Sequence, residues 1–260
     1  MDVTEITHLS YSSVSTYATC ARQWRYAYVD RLPRPTTPAL AFGSAWHATI
    51  ETVLRNNAER RGTDIESTWQ EQWSLAAARV AAWDVEIPEE LEKDGLRMLT
   101  APEVVSTLSR ICPFVDPEVG PLIEVKVELR VPGVPIPIVG YIDCIGEDGV
   151  PLDFKTAGRM WSDEQAAKEI QPLFYVAAMN QLGFTCNPDL RFRHIVFAKG
   201  KTTTVRTFEH RYTPSEIFWL FGMLQDVWRG INTSVFPPNP GAWCCSEKYC
   251  PFWANCRGKQ

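Results

Sequence analysis

Apolar residues in the first 110 positions recur mainly at helical spacing. Within residues 44–61, Trp46, Ile50 and Leu54 fall on one face of a predicted helix. The same spacing predicts helices over 10–29, about 66–83 and about 88–110. We expect the stretch of about 52–118 to be a helical insertion or a lid over one end of the fold.

Strand-like alternation replaces the helical pattern near residue 121. It predicts strands over 121–131, 136–146, 149–155, near 190–198 and near 202–210, with helices at about 171–182 and 213–230. Helices followed by strands that alternate with helices indicate an α/β or α+β fold with a mixed sheet. We expect one domain over residues 1–260, with a tail from 231 that is rich in proline and cysteine.

Two aspartates and a lysine lie on neighbouring predicted strands. Asp153 and Lys155 are two residues apart on one strand and therefore point to the same face. A three-residue turn over 147–149 would bring Asp143 to that face, whereas a two-residue turn would send it to the opposite face. Adjacent carboxylates repel each other unless a cation lies between them, and hard ions such as Mg²⁺ or Mn²⁺ prefer oxygen ligands. The alternative is an ordinary surface Asp–Lys pair across a hairpin.

Two further pairs of polar residues share a helix face. His47 and Glu51 are one turn apart, and a histidine beside carboxylates can form a mixed metal site. Gln171 and Tyr175 are also one turn apart, and both can hydrogen-bond a phosphate or a base. Taken alone, each pair is more typical of hydrogen-bonded or partly buried helix residues than of a functional site.

The cysteines concentrate at the end of the chain, where the segment CCSEKYCPFWANC holds four of the eight. Cys245, Cys250 and Cys256 supply three closely spaced thiols, and Cys20 or the adjacent Cys244 could supply a fourth. This spacing is wider than in zinc ribbons and favours an iron–sulfur cluster over Zn²⁺. The alternative is that these cysteines form disulfides or remain free thiols that bind no metal. The other three cysteines lie in apolar surroundings and are predicted to be core residues: Cys112, Cys144 and Cys186.

Composition and charge restrict the classes of protein to which the chain could belong. A hydrophobic fraction of 45% with no apolar stretch of membrane-spanning length predicts a globular protein without a membrane partner. The N-terminus shows no secretory signal pattern, so we expect a reducing compartment. The net charge of −5 argues mildly against nucleic acid, but residues 191–211 hold six Lys/Arg against one Glu. Local basic stretches of this kind bind phosphates, although they are also found on ordinary solvated faces.

In order along the chain, these motifs resemble the RecB-like nuclease family of the PD-(D/E)xK superfamily. The matching segments are LSYSSVSTYATCARQWRYAYVDRLP, GSAWHATIE, GYIDCI, LDFKT, QPLFY and CSEKYCPFWANC. The resemblance implies a restriction-endonuclease-like α/β core, with a mixed central sheet flanked by helices. It also implies an N-terminal helical region, a C-terminal cysteine cluster over 231–260 joined to Cys20, and metal-dependent cleavage of DNA.

The resemblance also implies roles for individual residues. The metal ligands would be His47, Asp143, Asp153 and the backbone carbonyl of Phe154, with Lys155 as the catalytic lysine. Gln171 and Tyr175 would engage DNA. The ligands of a 4Fe–4S cluster would be Cys20, Cys245, Cys250 and Cys256. Two departures from the family pattern are the doublet Cys244–Cys245, which leaves the first tail ligand open, and Pro172 at the second position of the QPLFY motif.

The function that follows from the resemblance is a stand-alone, Mg²⁺- or Mn²⁺-dependent DNA exonuclease of recombination or end processing. It would act on linear DNA, at ends or on single strands, in the cytoplasm of a bacterium or of a phage-infected host. No GxxxxGK[ST] motif occurs, so the chain carries no helicase-type motor, while a partner protein or an oligomer stays open. The alternatives are a CRISPR spacer-acquisition nuclease, a non-catalytic iron–sulfur DNA-binding module and a zinc-stapled structural protein.

Overall fold

The structure, a computed structural model, describes residues 5–83, 87–184 and 186–258. The helices are α1 Tyr11–Thr19, α2 Ala21–Tyr28, α3 Pro38–Ala58, α4 Ile65–Ala77, α5 Pro88–Leu99, α6 Pro102–Ser109, α7 Asp163–Ala167, α8 Gln171–Gln181, α9 Pro214–Asn232 and α10 Trp253–Arg257. The strands are β1 Leu9–Ser10, β2 Val115–Asp116, β3 Gly120–Pro121, β4 Ile123–Leu129, β5 Ile138–Ile145, β6 Pro151–Ala157, β7 Arg191–Ala198 and β8 Thr204–Arg211. Within these described ranges, no helix combines the length and the apolar character that a membrane span requires.

The chain divides into two compact units, and both are discontinuous in sequence. The first unit comprises the described residues up to Pro35, the segment Val127–Gly140 and the described residues from Thr213 onward. The second unit comprises the described residues of Thr36–Lys126 and Tyr141–Tyr212. The assignment of residues 1–260 to one nuclease domain stays a prediction.

The second unit contains a mixed sheet in which β5, β6, β7 and β8 lie side by side in that order. β6 is antiparallel to β5 and parallel to β7, and β8 is antiparallel to β7. Leu152 and Phe154 of β6 belong to an apolar core that includes Trp46 of α3. Asp153 and Lys155 alternate with them and point to the opposite face, towards α8. The predicted α/β class with a mixed sheet flanked by helices is confirmed.

A three-residue turn joins β5 to β6, as a shared acidic site requires. The Gly146 amide donates a hydrogen bond to the Val150 carbonyl at 2.9 Å, which closes the turn over residues 147–149. Carried along the two strands, the observed register sets Asp143 opposite Asp153. The two-residue alternative, which would separate the two aspartates, is therefore excluded.

Some sequence-based boundaries were wrong. The predicted helix over 10–29 is two helices, because Cys20 adopts an extended backbone (φ −158°, ψ 102°) between α1 and α2. The predicted helix over 88–110 is also divided, since Pro102 has no amide hydrogen to continue α5 and instead begins α6. Cys144 is buried as predicted, whereas Cys112 is exposed and Cys186 is only partly buried.

The first unit contains the N-terminal helices, α9 and the cysteine-rich tail. β1 pairs in parallel with the first two residues of β5. The Trp24 ring of α2 stacks on Phe236, which follows α9, with 5.7 Å between ring centroids. The Tyr17 hydroxyl of α1 donates to the Val235 carbonyl at 2.6 Å. These contacts join the beginning of the chain to the segment that leads into the tail.

The β5–β6 turn should be sensitive to substitution at Gly149. This residue has φ +74°, and an added Cβ would lie 2.6 Å from the Cys186 sulfur. Left-handed backbone costs about 1–2 kcal/mol and overpacking about 1–3 kcal/mol, so Gly149→Ala should lower the free energy of unfolding by about 2–5 kcal/mol. Urea unfolding measures this. The control is Gly43→Ala in α3, where a Cβ meets no atom within 4 Å and should be neutral or stabilising. Equal effects of the two substitutions would contradict the requirement for glycine at position 149.

Candidate active site

Asp143 of β5 and Asp153 of β6 form the acidic centre of the second unit. The Asp143 Oδ2 atom accepts a hydrogen bond from the Phe154 amide at 2.7 Å and lies 3.4 Å from His47 Nδ1. The bond to the backbone fixes the Asp143 carboxylate to the neighbouring strand. Asp153 is only 2% exposed, and a buried carboxylate is costly unless a cation is close.

Lys155 provides the positive charge for Asp153. Its Nζ atom lies 2.9 Å from Asp153 Oδ1 and 2.8 Å from Oδ2. Burial alone would lower the pKa of Lys155, but the Asp153 carboxylate more than offsets this, with a smaller contribution from Asp143, and raises the pKa above its ordinary value. Lys155 is therefore an ammonium ion at neutral pH. Burial raises the pKa of Asp153, and the lysine charge opposes that rise.

A chain of hydrogen bonds from α8 orients Lys155. The lysine donates to Gln171 Oε1 at 3.0 Å, and the Gln171 amide donates to the Tyr175 hydroxyl at 2.8 Å. The Tyr175 hydroxyl in turn donates to the backbone carbonyl of Tyr141. Pro172 lies in the first turn of α8, where a missing amide hydrogen costs no helical bond.

Tyr175 lies in the core of the second unit. Its side chain is 3% exposed and stacks on Phe192, with 6.0 Å between ring centroids. The observed role of its hydroxyl is thus to hold Gln171 in place. Contact of Gln171 and Tyr175 with DNA stays a prediction.

Glu124, which the sequence analysis missed, approaches the same acidic centre. Ligand atoms of His47, Glu124 and Asp143 all lie within 4.8 Å of one another. Burial, with the nearby charges of Asp143 and Glu51, raises the pKa of Glu124 to about 7. Its backbone has φ +54°, a conformation that residues other than glycine rarely adopt. No sequence pattern distinguishes it from the other charged positions of the same strand.

Glu51, the predicted additional site residue, has a different partner. Its Oε1 atom lies 2.8 Å from Arg55 Nε. Arg55 also donates to the Ile123 carbonyl at 3.2 Å. The arginine thus ties α3 to the start of β4, and a direct role of Glu51 in the site stays a prediction.

The donor set fits a hard divalent cation. Two carboxylates and one imidazole supply oxygen and nitrogen ligands, and two negative charges would balance the cation. Burial lowers the pKa of His47, but its hydrogen bond with Asp143 reverses the direction and leaves the pKa raised. Ligation by Asp153 and by the Phe154 carbonyl stays a prediction.

The cysteines of the first unit lie around one pocket. It is lined by all the candidate ligands, Cys20, Cys244, Cys245, Cys250 and Cys256. All eight cysteines are free thiols. The disulfides that the sequence left open as an alternative are therefore absent among the described residues. Across the part of the chain that the structure describes, no three cysteine sulfurs lie within 4.8 Å of one another.

The basic stretch 191–211 is largely paired with acidic residues. Arg193 lies 2.7 Å from Asp148 and 2.6 Å from Glu209. Arg206 lies 2.7 Å from Asp163. Its local excess of positive charge is therefore partly neutralised within the second unit.

A mixed sheet that carries Asp…Asp-x-Lys on two adjacent strands defines the restriction-endonuclease-like class of nucleases. The family model described as the PD-(D/E)XK nuclease superfamily matches residues 8–257. The chain belongs to this superfamily.

The fold of the chain is similar to that of a solved structure. The chain is similar to the crystal structure of a candidate exonuclease from Eubacterium rectale, with a TM-score of 0.57 and 10% sequence identity. The alignment covers 92% of this chain and 87% of that chain. At such low identity the similarity shows the fold alone. No curated protein matches the chain.

Removal of the Tyr175 hydroxyl should weaken the network that supports Lys155. Tyr175→Phe leaves the Gln171 amide and the Tyr141 carbonyl without their partner in a buried place, so the free energy of unfolding should fall by about 1–3 kcal/mol. Tyr141→Phe is the matched control, because only the backbone of Tyr141 takes part and its side chain is 54% exposed. Denaturant unfolding of both variants measures the difference. A similar small effect of both would show that the network contributes nothing to stability.

Proposed function

We propose that the protein is a divalent-metal-dependent deoxyribonuclease, acting as an exonuclease on DNA ends or single strands. The observation that carries the proposal is the β5–β6 hairpin of a nuclease-superfamily member, with Asp143, Asp153 and Lys155 gathered beside His47. The chemistry of the site matches hydrolysis of a phosphodiester, which needs charge stabilisation and an activated water.

Each residue of the site has a distinct part in this proposal. His47, Asp143, Asp153 and the Phe154 carbonyl would hold Mg²⁺ or Mn²⁺, which, when bound, polarises a phosphoryl oxygen and lowers the pKa of water. The Lys155 ammonium group, which lies against Asp153, would stabilise developing negative charge and orient the attacking water. Gln171 fixes the position of the lysine.

We infer in addition that the cysteine pocket holds a 4Fe–4S cluster. Support comes from the free thiols of Cys20, Cys250 and Cys256, which line one pocket together with the doublet Cys244–Cys245. Zinc binds its sulfur ligands at about 2.3 Å, which requires those sulfurs to lie close together, and no three cysteine sulfurs of the described residues lie within 4.8 Å of one another. The cluster would stabilise the tail through metal-binding free energy.

The biological setting belongs to the same proposal. The setting that we propose is recombination or end processing, in the cytoplasm of a bacterium or of a phage-infected cell. A recombination partner protein and an oligomeric form are both compatible with it. Spacer acquisition, the other nuclease role, would be favoured by co-purification with an integrase.

The nuclease proposal is tested with end-labelled linear DNA, single- and double-stranded, and a circular control, in Mg²⁺, Mn²⁺ or EDTA. Wild type should release label from linear DNA only with metal. Lys155→Ala and Asp153→Ala should lose about 100-fold or more in rate, because each removes a charge from the reacting centre. Lys93→Ala, an exposed lysine of α5, is the control.

Full cleavage by Lys155→Ala would refute the assignment of the lysine. Cleavage of the circle would show endonuclease action. If wild type binds DNA but cleaves none of these substrates, the protein is a DNA-binding module and the enzymatic proposal fails.

The cluster proposal is tested by iron and sulfide analysis after anaerobic purification. Wild type should be brown, and Cys250→Ser should lose most of its iron because one of four thiolates is missing. Cys112→Ser, which removes an exposed thiol outside the pocket, should keep the cluster. A colourless wild type with stoichiometric zinc would contradict the iron–sulfur assignment.

A further inference from the structure

We propose that Glu124 is a ligand of the divalent cation, together with His47 and Asp143. The inference deepens the proposed nuclease function and rests on it. It assigns a metal-binding role to a residue outside the motifs that identify the family in this sequence.

Glu124 lies close to His47 and Asp143. The donor atoms of the three residues lie within 4.8 Å of one another, and His47 Nδ1 lies 3.4 Å from Asp143 Oδ2. Among the described residues, the Glu124 carboxylate has neither a hydrogen bond nor an ion pair. A partly buried carboxylate that faces another carboxylate is stabilised when a cation binds between them.

The backbone at Glu124 has an unusual conformation. Glu124 has φ +54°, so the strand leaves its regular course at this residue. Arg55 donates to the carbonyl of the preceding residue, Ile123, at 3.2 Å and thereby helps to hold this conformation. Strained backbone of this kind persists where the surrounding structure fixes it, and it occurs often at ligand-binding sites.

Arg55 also pairs with Glu51, the other acidic side chain near this part of the site. Arg55 forms a 2.8 Å ion pair with Glu51, so that carboxylate already has a positive partner. Glu124 is therefore the acidic side chain left to face His47 and Asp143.

Asp153 is paired with Lys155. Both of its carboxylate oxygens lie within 2.9 Å of Lys155 Nζ, so the lysine already neutralises it. Glu124 and Asp143 have no lysine at comparable distance among the described residues. The His47–Glu124–Asp143 group therefore carries negative charge that no lysine of the described residues balances, and this charge would add to that of Asp153 in holding the cation.

Mn²⁺ binding to the metal-stripped protein tests the inference, with free Mn²⁺ measured by electron paramagnetic resonance. Glu124→Gln should weaken Mn²⁺ affinity by about tenfold or more, because it removes a charged ligand and keeps the shape. Glu128→Gln is the control on the same strand, where the glutamate lies 3.8 Å from Arg130, and it should bind as wild type does.

A second variant separates ligation from folding. Glu124→Gly accepts the positive φ without strain and should therefore unfold at no lower denaturant concentration than wild type. It should nevertheless lose Mn²⁺ affinity as Glu124→Gln does. Loss of affinity only together with loss of stability would overturn the ligand role.

The outcomes distinguish this inference from the proposed function. Wild-type Mn²⁺ affinity in Glu124→Gln, with metal-dependent cleavage by wild type intact, would overturn the inference and leave the nuclease proposal standing. Mn²⁺ binding that depends on Glu124 in a protein that cleaves no DNA would support the cation site and overturn the nuclease. Absence of Mn²⁺ binding by wild type would overturn both.

Discussion

The buried carboxylate of Asp153 sets the main physical constraint on the second unit. A charge that is 2% exposed must have a cation within reach, and Lys155 meets that need from the same strand. The lysine can turn towards Asp153 because residues two apart on a strand share a face. Gln171 and Tyr175 then fix the lysine from α8. The position of α8 against the sheet is thus linked to the electrostatics of the site.

Strand β6 contributes side chains to both the apolar core and the candidate active site. Its alternation places Leu152 and Phe154 in the apolar cluster with α3, and Asp153 and Lys155 on the other face. The Phe154 amide, which belongs to the backbone of that strand, also holds Asp143. A shift of register by one residue would expose the apolar side chains and bury the polar ones, so folding and site assembly depend on the same pairing.

The sequence alone predicts the parts of the site whose positions are determined by local periodicity. Asp153 and Lys155 share a face because they are two residues apart, and the turn before them allows few registers. Glu124 could not be identified, because its approach to Asp143 depends on a left-handed backbone and on the tertiary contact from Arg55. The interruption at Cys20 was missed for a similar reason, since helical spacing continues through a residue that the structure holds extended.

Anomalous X-ray diffraction from a crystal of the wild-type protein soaked in Mn²⁺ would test the central claim most directly. The account predicts a manganese peak within about 2.0–2.6 Å of the Asp143 carboxylate, with His47 on the same ion. Ligation by Glu124 in that peak would extend the result to the further inference. A saturated crystal with no manganese at Asp143, or with the ion bound elsewhere in the protein, would contradict the account.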